Sequence, residues 1–73
     1  MFNIKVKHAD EKQARINMLI YVDTLHEAEI LTLKYLQRLY DSRYIKIAHE
    51  HDLIYNIYIG STLIGTVAIT LGD

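Results

Sequence analysis

Thr24-Leu25-His26-Glu27-Ala28-Glu29-Ile30-Leu31-Thr32-Leu33-Lys34-Tyr35-Leu36-Gln37-Arg38-Leu39-Tyr40 contains neither Gly nor Pro, and its reading decides the fold. Thr24 followed by Glu27 matches a capping box, in which a hydroxyl caps the first turn and a Glu three residues on reaches back. Glu27 and Glu29 suit the positive end of a helix dipole, and Lys34 and Arg38 suit the negative end. The pattern predicts one helix over about residues 24–40, ended by Asp41-Ser42-Arg43 without the usual Gly.

On either side of this helix the apolar period changes to two, the mark of half-buried strands. Phe2, Ile4 and Val6 alternate with Asn3, Lys5 and Lys7. The polar run His8 to Gln13 is a loop. From Arg15 to Val22, Ile16, Met18, Ile20 and Val22 share one face. Beyond the helix, Tyr44 to Ala48, Leu53 to Ile59 and Leu63 to Leu71 read as three more strands. His49-Glu50-His51-Asp52 reads as a hairpin tip, Gly60-Ser61-Thr62 as a turn, Gly65 as the mark of a bulge, and Gly72-Asp73 as a fraying end.

The expected fold is a single α+β domain over residues 1–73 in the order β-β-α-β-β-β, with one helix on one face of a mostly antiparallel sheet. Two arrangements satisfy that order. One is β-grasp-like, with the first and last strands paired in parallel. The other is a sequential antiparallel sheet with hairpins on both sides of the helix.

Composition narrows the function classes. A chain of 73 residues has little core to spare, and with no cysteine it has neither disulfides nor Cys-type zinc sites. Eight basic against nine acidic residues exclude a strongly charged binder of nucleic acid or membranes. No apolar run approaches the ~18 residues of a membrane span, and Met1 opens on a strand rather than a leader, so the expected location is the cytoplasm.

The helix is too apolar for one buried face. At 100° per residue, Leu25, Ala28, Leu31, Tyr35, Leu36 and Leu39 form the face expected on the sheet. His26, Ile30, Leu33, Gln37 and Tyr40 form a second stripe. That stripe is either covered by the fold or is a contact surface for a second copy or another protein. Burying Ile30 and Leu33 would each contribute about 1.5–3 kcal/mol. A homodimer would use one patch twice, and an exposed edge strand would add a β-augmentation contact. The expected function is a non-catalytic protein-binding module, self-associating and acting as a small inhibitor or adaptor, similar in style to those that viruses and mobile elements encode. Leu33→Glu is expected to abolish such binding without unfolding the monomer.

A second hypothesis uses the other sheet face. With Ile16, Ile20, Ile45 and Ile57 toward the helix, alternation places Lys5, Lys7, Arg15, Tyr21, Tyr44, Lys46 and Tyr58 outside. Lys5, Lys7 and Lys46 with Tyr44 and Tyr58 would suit single-stranded nucleic acid, rings stacking on bases and ammonium groups near phosphates. A third is an accessory subunit of a larger assembly. No catalytic residue, cofactor or metal site is assigned. His49 and His51, with Asp52 or His8, form the densest titratable group, but polar turn residues account for them. Three glycines make no phosphate loop, and Ser42 and Ser61 have no paired His and Asp.

Overall fold

The computed structural model describes residues 1–72; Asp73, half of the expected fraying end, lies outside the described residues. Strands β1 (Phe2–His8) and β2 (Ile16–Ile20) precede helix α1 (Leu25–Leu39). Strands β3 (Ile45–His51), β4 (Ile54–Ile59) and β5 (Thr62–Leu71) follow it. They form one five-stranded sheet in the order β2-β1-β5-β4-β3. The first and last strands are neighbours, as in a β-grasp, but they pair antiparallel, with Ile4 opposite Ile69 and Val6 opposite Val67. Every other pairing is antiparallel too, so the parallel option is not the one adopted. A hairpin and a three-strand meander, the two halves of the sequential option, are joined along β1 and β5.

This order makes β2 and β3 the two edges, and the helix is the link between them. Its 15 residues span about 22 Å, close to the roughly 19 Å across five strands. The helix therefore crosses the sheet, covering one face only. Ile4, Val6, Ile57, Val67 and Ile69 are fully buried beneath it, as is its own Leu36.

The cap at Thr24 forms, but only half of the box does. The Thr24 hydroxyl oxygen accepts from the Glu27 N–H at 3.2 Å. The Glu27 carboxylate accepts from that hydroxyl at 3.1 Å, not from the Thr24 backbone. At the other end Asp41 takes the left-handed conformation (φ 50°) usually given to Gly. Asp41 N–H donates to Arg38 and Ser42 N–H to Gln37, the paired bonds of a Schellman motif. Asp tolerates that conformation better than most residues, so the helix stops cleanly without Gly.

Two expectations are corrected. The face on the sheet is centred on Ala28, Thr32 and Leu36, all fully buried, while Leu25, Leu31 and Leu39 are 39%, 42% and 40% exposed. Small side chains at Ala28 and Thr32 let the helix sit close to the sheet, which rotates Leu31 to the flank. The segment His49-Glu50-His51 is strand rather than hairpin tip. Asp52 at φ 48° makes the tight turn, and a register shift between His49 and His51 leaves Glu50 as a bulge residue.

Thr32 carries a cost. Its hydroxyl is buried without a hydrogen-bond partner. Leaving such a group unpaired costs about 1–3 kcal/mol. Thr32→Val keeps the branched shape and removes the polar atom, so it is expected to raise unfolding stability by about 1 kcal/mol. A urea denaturation midpoint that falls instead would show the hydroxyl to be satisfied in solution.

Candidate functional site

Rotation of the helix places His26, Ile30 and Leu33 of the second stripe beside β3. His26, Glu29, Ile30 and Leu33 from the helix meet Ile47 and His49 from β3 and Tyr55 from β4 around an open groove of about 290 Å³. Apolar side chains form its floor: Ile47 and Leu33 are half-buried against the core, and Tyr55 is almost fully buried. Ile30 stands on the rim, 42% exposed. The groove runs along an edge strand, so it is bordered by main-chain groups with no neighbouring strand.

One polar link crosses the groove floor. The Tyr55 hydroxyl donates to Glu29 Oε2 at 2.6 Å. His26 Nδ1 lies 4.0 Å from the other Glu29 oxygen, and the His49 ring meets Tyr55 edge-on at 5.3 Å. Burial, reinforced by the hydrogen bond to Glu29 and its negative charge, pushes the Tyr55 hydroxyl up to about 12 from 10.0. The unfolded chain therefore loses this proton at lower pH than the native one. Stability from this group is complete below pH 10 and declines as pH rises toward 12. The decline is at most ~1.4 kcal/mol per pH unit. Denaturation midpoints measured up the alkaline range should fall for the wild type and fall less steeply for Tyr55→Phe.

The five residues of the expected stripe do not stay together. His26, Ile30 and Leu33 line the groove. Gln37 lies on a separate polar surface with Lys34, Arg38, Asp41, Ser42 and Arg43. Tyr40 turns to β1, where its hydroxyl contacts His8 Nε2 at 2.8 Å. Arg15, which can only donate, meets the same nitrogen at 2.9 Å and holds Glu11 at 2.5 Å. Burial raises the Tyr40 hydroxyl above its ordinary value, partly opposed by Arg15. Tyr40 is thus a tie between the helix end and the first hairpin. Leu33 also has a packing role, which makes Leu33→Glu an unsafe probe of binding; Ile30 is the better position.

The helix-free face carries a scattered set. Lys46 lies opposite Tyr58 across β3 and β4, its ammonium 5.9 Å from the ring centroid. Lys5 and Lys7 are on β1, with β5 and β4 between them and Lys46. Tyr44 precedes β3 and is 71% exposed. Arg15 leaves this face altogether, because His8 and Glu11 hold its guanidinium. Tyr21 lies beyond the end of β2.

Metal-ligating groups gather away from the His49–Asp52 cluster. His8, Asp10 and Glu11 bring ligand atoms within 4.8 Å of one another, the one such group among the described residues. Arg15 already occupies His8 and Glu11. His49 instead bonds the Asp52 carbonyl across the turn.

Sequence reasoning missed Glu29, Ile47, His49 and Tyr55 as groove residues. Alternation puts Ile47 on the face of Ile45, toward the helix, but His49 read as part of a hairpin tip; that β3 is an edge depends on strand order, which periodicity does not carry. Among the described residues no helix is long and apolar enough to cross a membrane. Compared with protein-family models, curated proteins and solved structures, the chain finds no match.

Proposed function

We propose that this domain is a non-catalytic protein-binding module, a small inhibitor or adaptor that engages an extended segment of a partner through the groove and the free edge of β3. The supporting observation is the juxtaposition of Ile30, Leu33 and Ile47 with the free outer edge of a seven-residue strand. An added strand would gain main-chain hydrogen bonds from the edge, and its alternate side chains would fall into the groove. This joins affinity and selectivity in one surface. On the opposite face two strands separate Lys5 and Lys7 from Lys46, so that face offers nucleic acid no comparable continuous surface.

Selection from a library of displayed peptides tests the proposal. Enriched peptides should alternate apolar and polar residues and shift the amide resonances of Ile45–His51 and of the helix around Ile30. Ile30→Glu should weaken their binding at least about tenfold, a loss of roughly 1.4 kcal/mol, while the circular dichroism spectrum stays unchanged. Resonance shifts confined to the helix-free face would reject the groove as the binding site.

A further inference from the structure

The edge that would receive a partner strand is complementary to itself. Gly60 N–H donates to the Tyr44 carbonyl, which starts the β3–β4 ladder with residue 44 turned inward. By the alternation of an antiparallel ladder, Lys46 and Ala48 also bond toward β4, and Ile45, Ile47 and His49 present their N–H and C=O groups outward. Cross-strand partners must lie on the same face of a sheet, so a two-fold axis joining two β3 strands passes through a residue rather than between two. An axis through Lys46 sets two lysines opposite each other. An axis through Ile47 pairs Lys46 with Ala48. An axis through Ala48 sets Ile47 opposite His49 twice and brings Lys46 to face Glu50 twice, with Glu50 at the bulge that ends the regular ladder.

Lys46 and Glu50 both stand on the helix-free face. The Lys46 ammonium lies over Tyr58, and Glu50 borders a cleft with Asn56, Thr66 and Lys7. The small side chain of Ala48 leaves the strands free to approach at the axis. An isolated Lys on an edge strand discourages pairing; here Glu50 supplies its counter-charge. The same axis, normal to the sheet, brings both helices to one side, so the grooves of Ile30, Leu33 and Ile47 meet along the seam.

We infer that a second copy of this chain occupies the β3 edge, pairing antiparallel about Ala48 to make a continuous ten-stranded sheet with reciprocal Lys46–Glu50 contacts. This rests on the protein-binding reading of the same groove and names its occupant. Light scattering up to millimolar concentration tests it, with folding followed by circular dichroism. The wild type should dimerise. Lys46→Glu and Glu50→Lys should each weaken the dimer roughly tenfold, since like charges then face each other twice. The double variant Lys46→Glu/Glu50→Lys should restore wild-type association. A mixed isotope-labelled sample should show a close contact between the Ala48 α-protons of the two copies. A dimer indifferent to both single swaps overturns the register. A wild type that stays monomeric yet binds the selected peptides overturns the second copy and leaves the binding reading standing; a monomer that binds none overturns both.

Discussion

Gly65→Ala is expected to destabilise the fold by about 3 kcal/mol, the largest effect of a methyl group added at any of its three glycines. A Cβ at Gly65 would lie 2.3 Å from the Lys7 carbonyl oxygen and 3.2 Å from the His8 Cα. Both are backbone atoms of β1, so no side chain can swing aside. Relief requires β1 and β5 to part, and their pairing joins the first hairpin to the rest of the sheet. A domain of this size has a total stability of about 4–11 kcal/mol. Three of those correspond to a fall in melting temperature of roughly 12–24 °C. Gly60→Ala is the internal control. Gly60 sits in the left-handed region at φ 61° with nothing within 4 Å of an added Cβ, so its cost is only the ~1–2 kcal/mol of that conformation. Equal melting temperatures for the two variants would show that β1 and β5 tolerate separation at this point.

Gly65 also shows what was legible in the sequence. A Gly inside an apolar strand reads as a bulge, and the register between β4 and β5 does shift there, Ile57 facing Gly65 and Tyr58 facing Leu63. The close approach of Lys7 was not legible, because it comes from a strand more than fifty residues away. The same division runs through the fold. The helix, and the strands with their facing, were readable because period and capping are local. Strand order was not, because β1 can pair with β5 in either direction without altering any alternation. Asp41 and Asp52 took positions where Gly was the expected signal.

The candidate site was half legible for the same reason. The excess of apolar helix surface was visible, and three residues of the expected stripe, His26, Ile30 and Leu33, line the groove. Angle alone places Tyr40 on the stripe. Its partner His8 ends a strand far away in sequence, and only the fold brings the two rings to 5.4 Å. The edge that gives the groove its main-chain groups follows from strand order and inherits its illegibility. The Lys46–Glu50 complementarity is present in the sequence as two opposite charges four residues apart. It acquires meaning only once β3 is an edge and Ala48, midway between them, becomes a possible axis.

Leu36→Ala against Leu31→Ala measures a local reading that failed, the rotation of the helix. Angular arithmetic places both leucines on the packed face. In the fold Leu36 is fully buried and Leu31 is 42% exposed on the flank. Truncating a buried Leu removes its transfer energy and leaves a cavity, at a cost of about 2–5 kcal/mol. The upper half of that range would exhaust the stability of a domain at the low end, about 4 kcal/mol, of the range for this size. Leu31→Ala should cost less than about 1 kcal/mol, because its side chain already meets water and Ala is the better helix former. The comparison cancels whatever truncating a leucine does to the unfolded chain. Equal losses would mean that the helix lies rotated toward Leu31, which would draw Ile30 and Leu33 away from Ile47 and close the groove. The ratio of the two costs is therefore a test of the binding surface as much as of the core, and it needs no partner to be known.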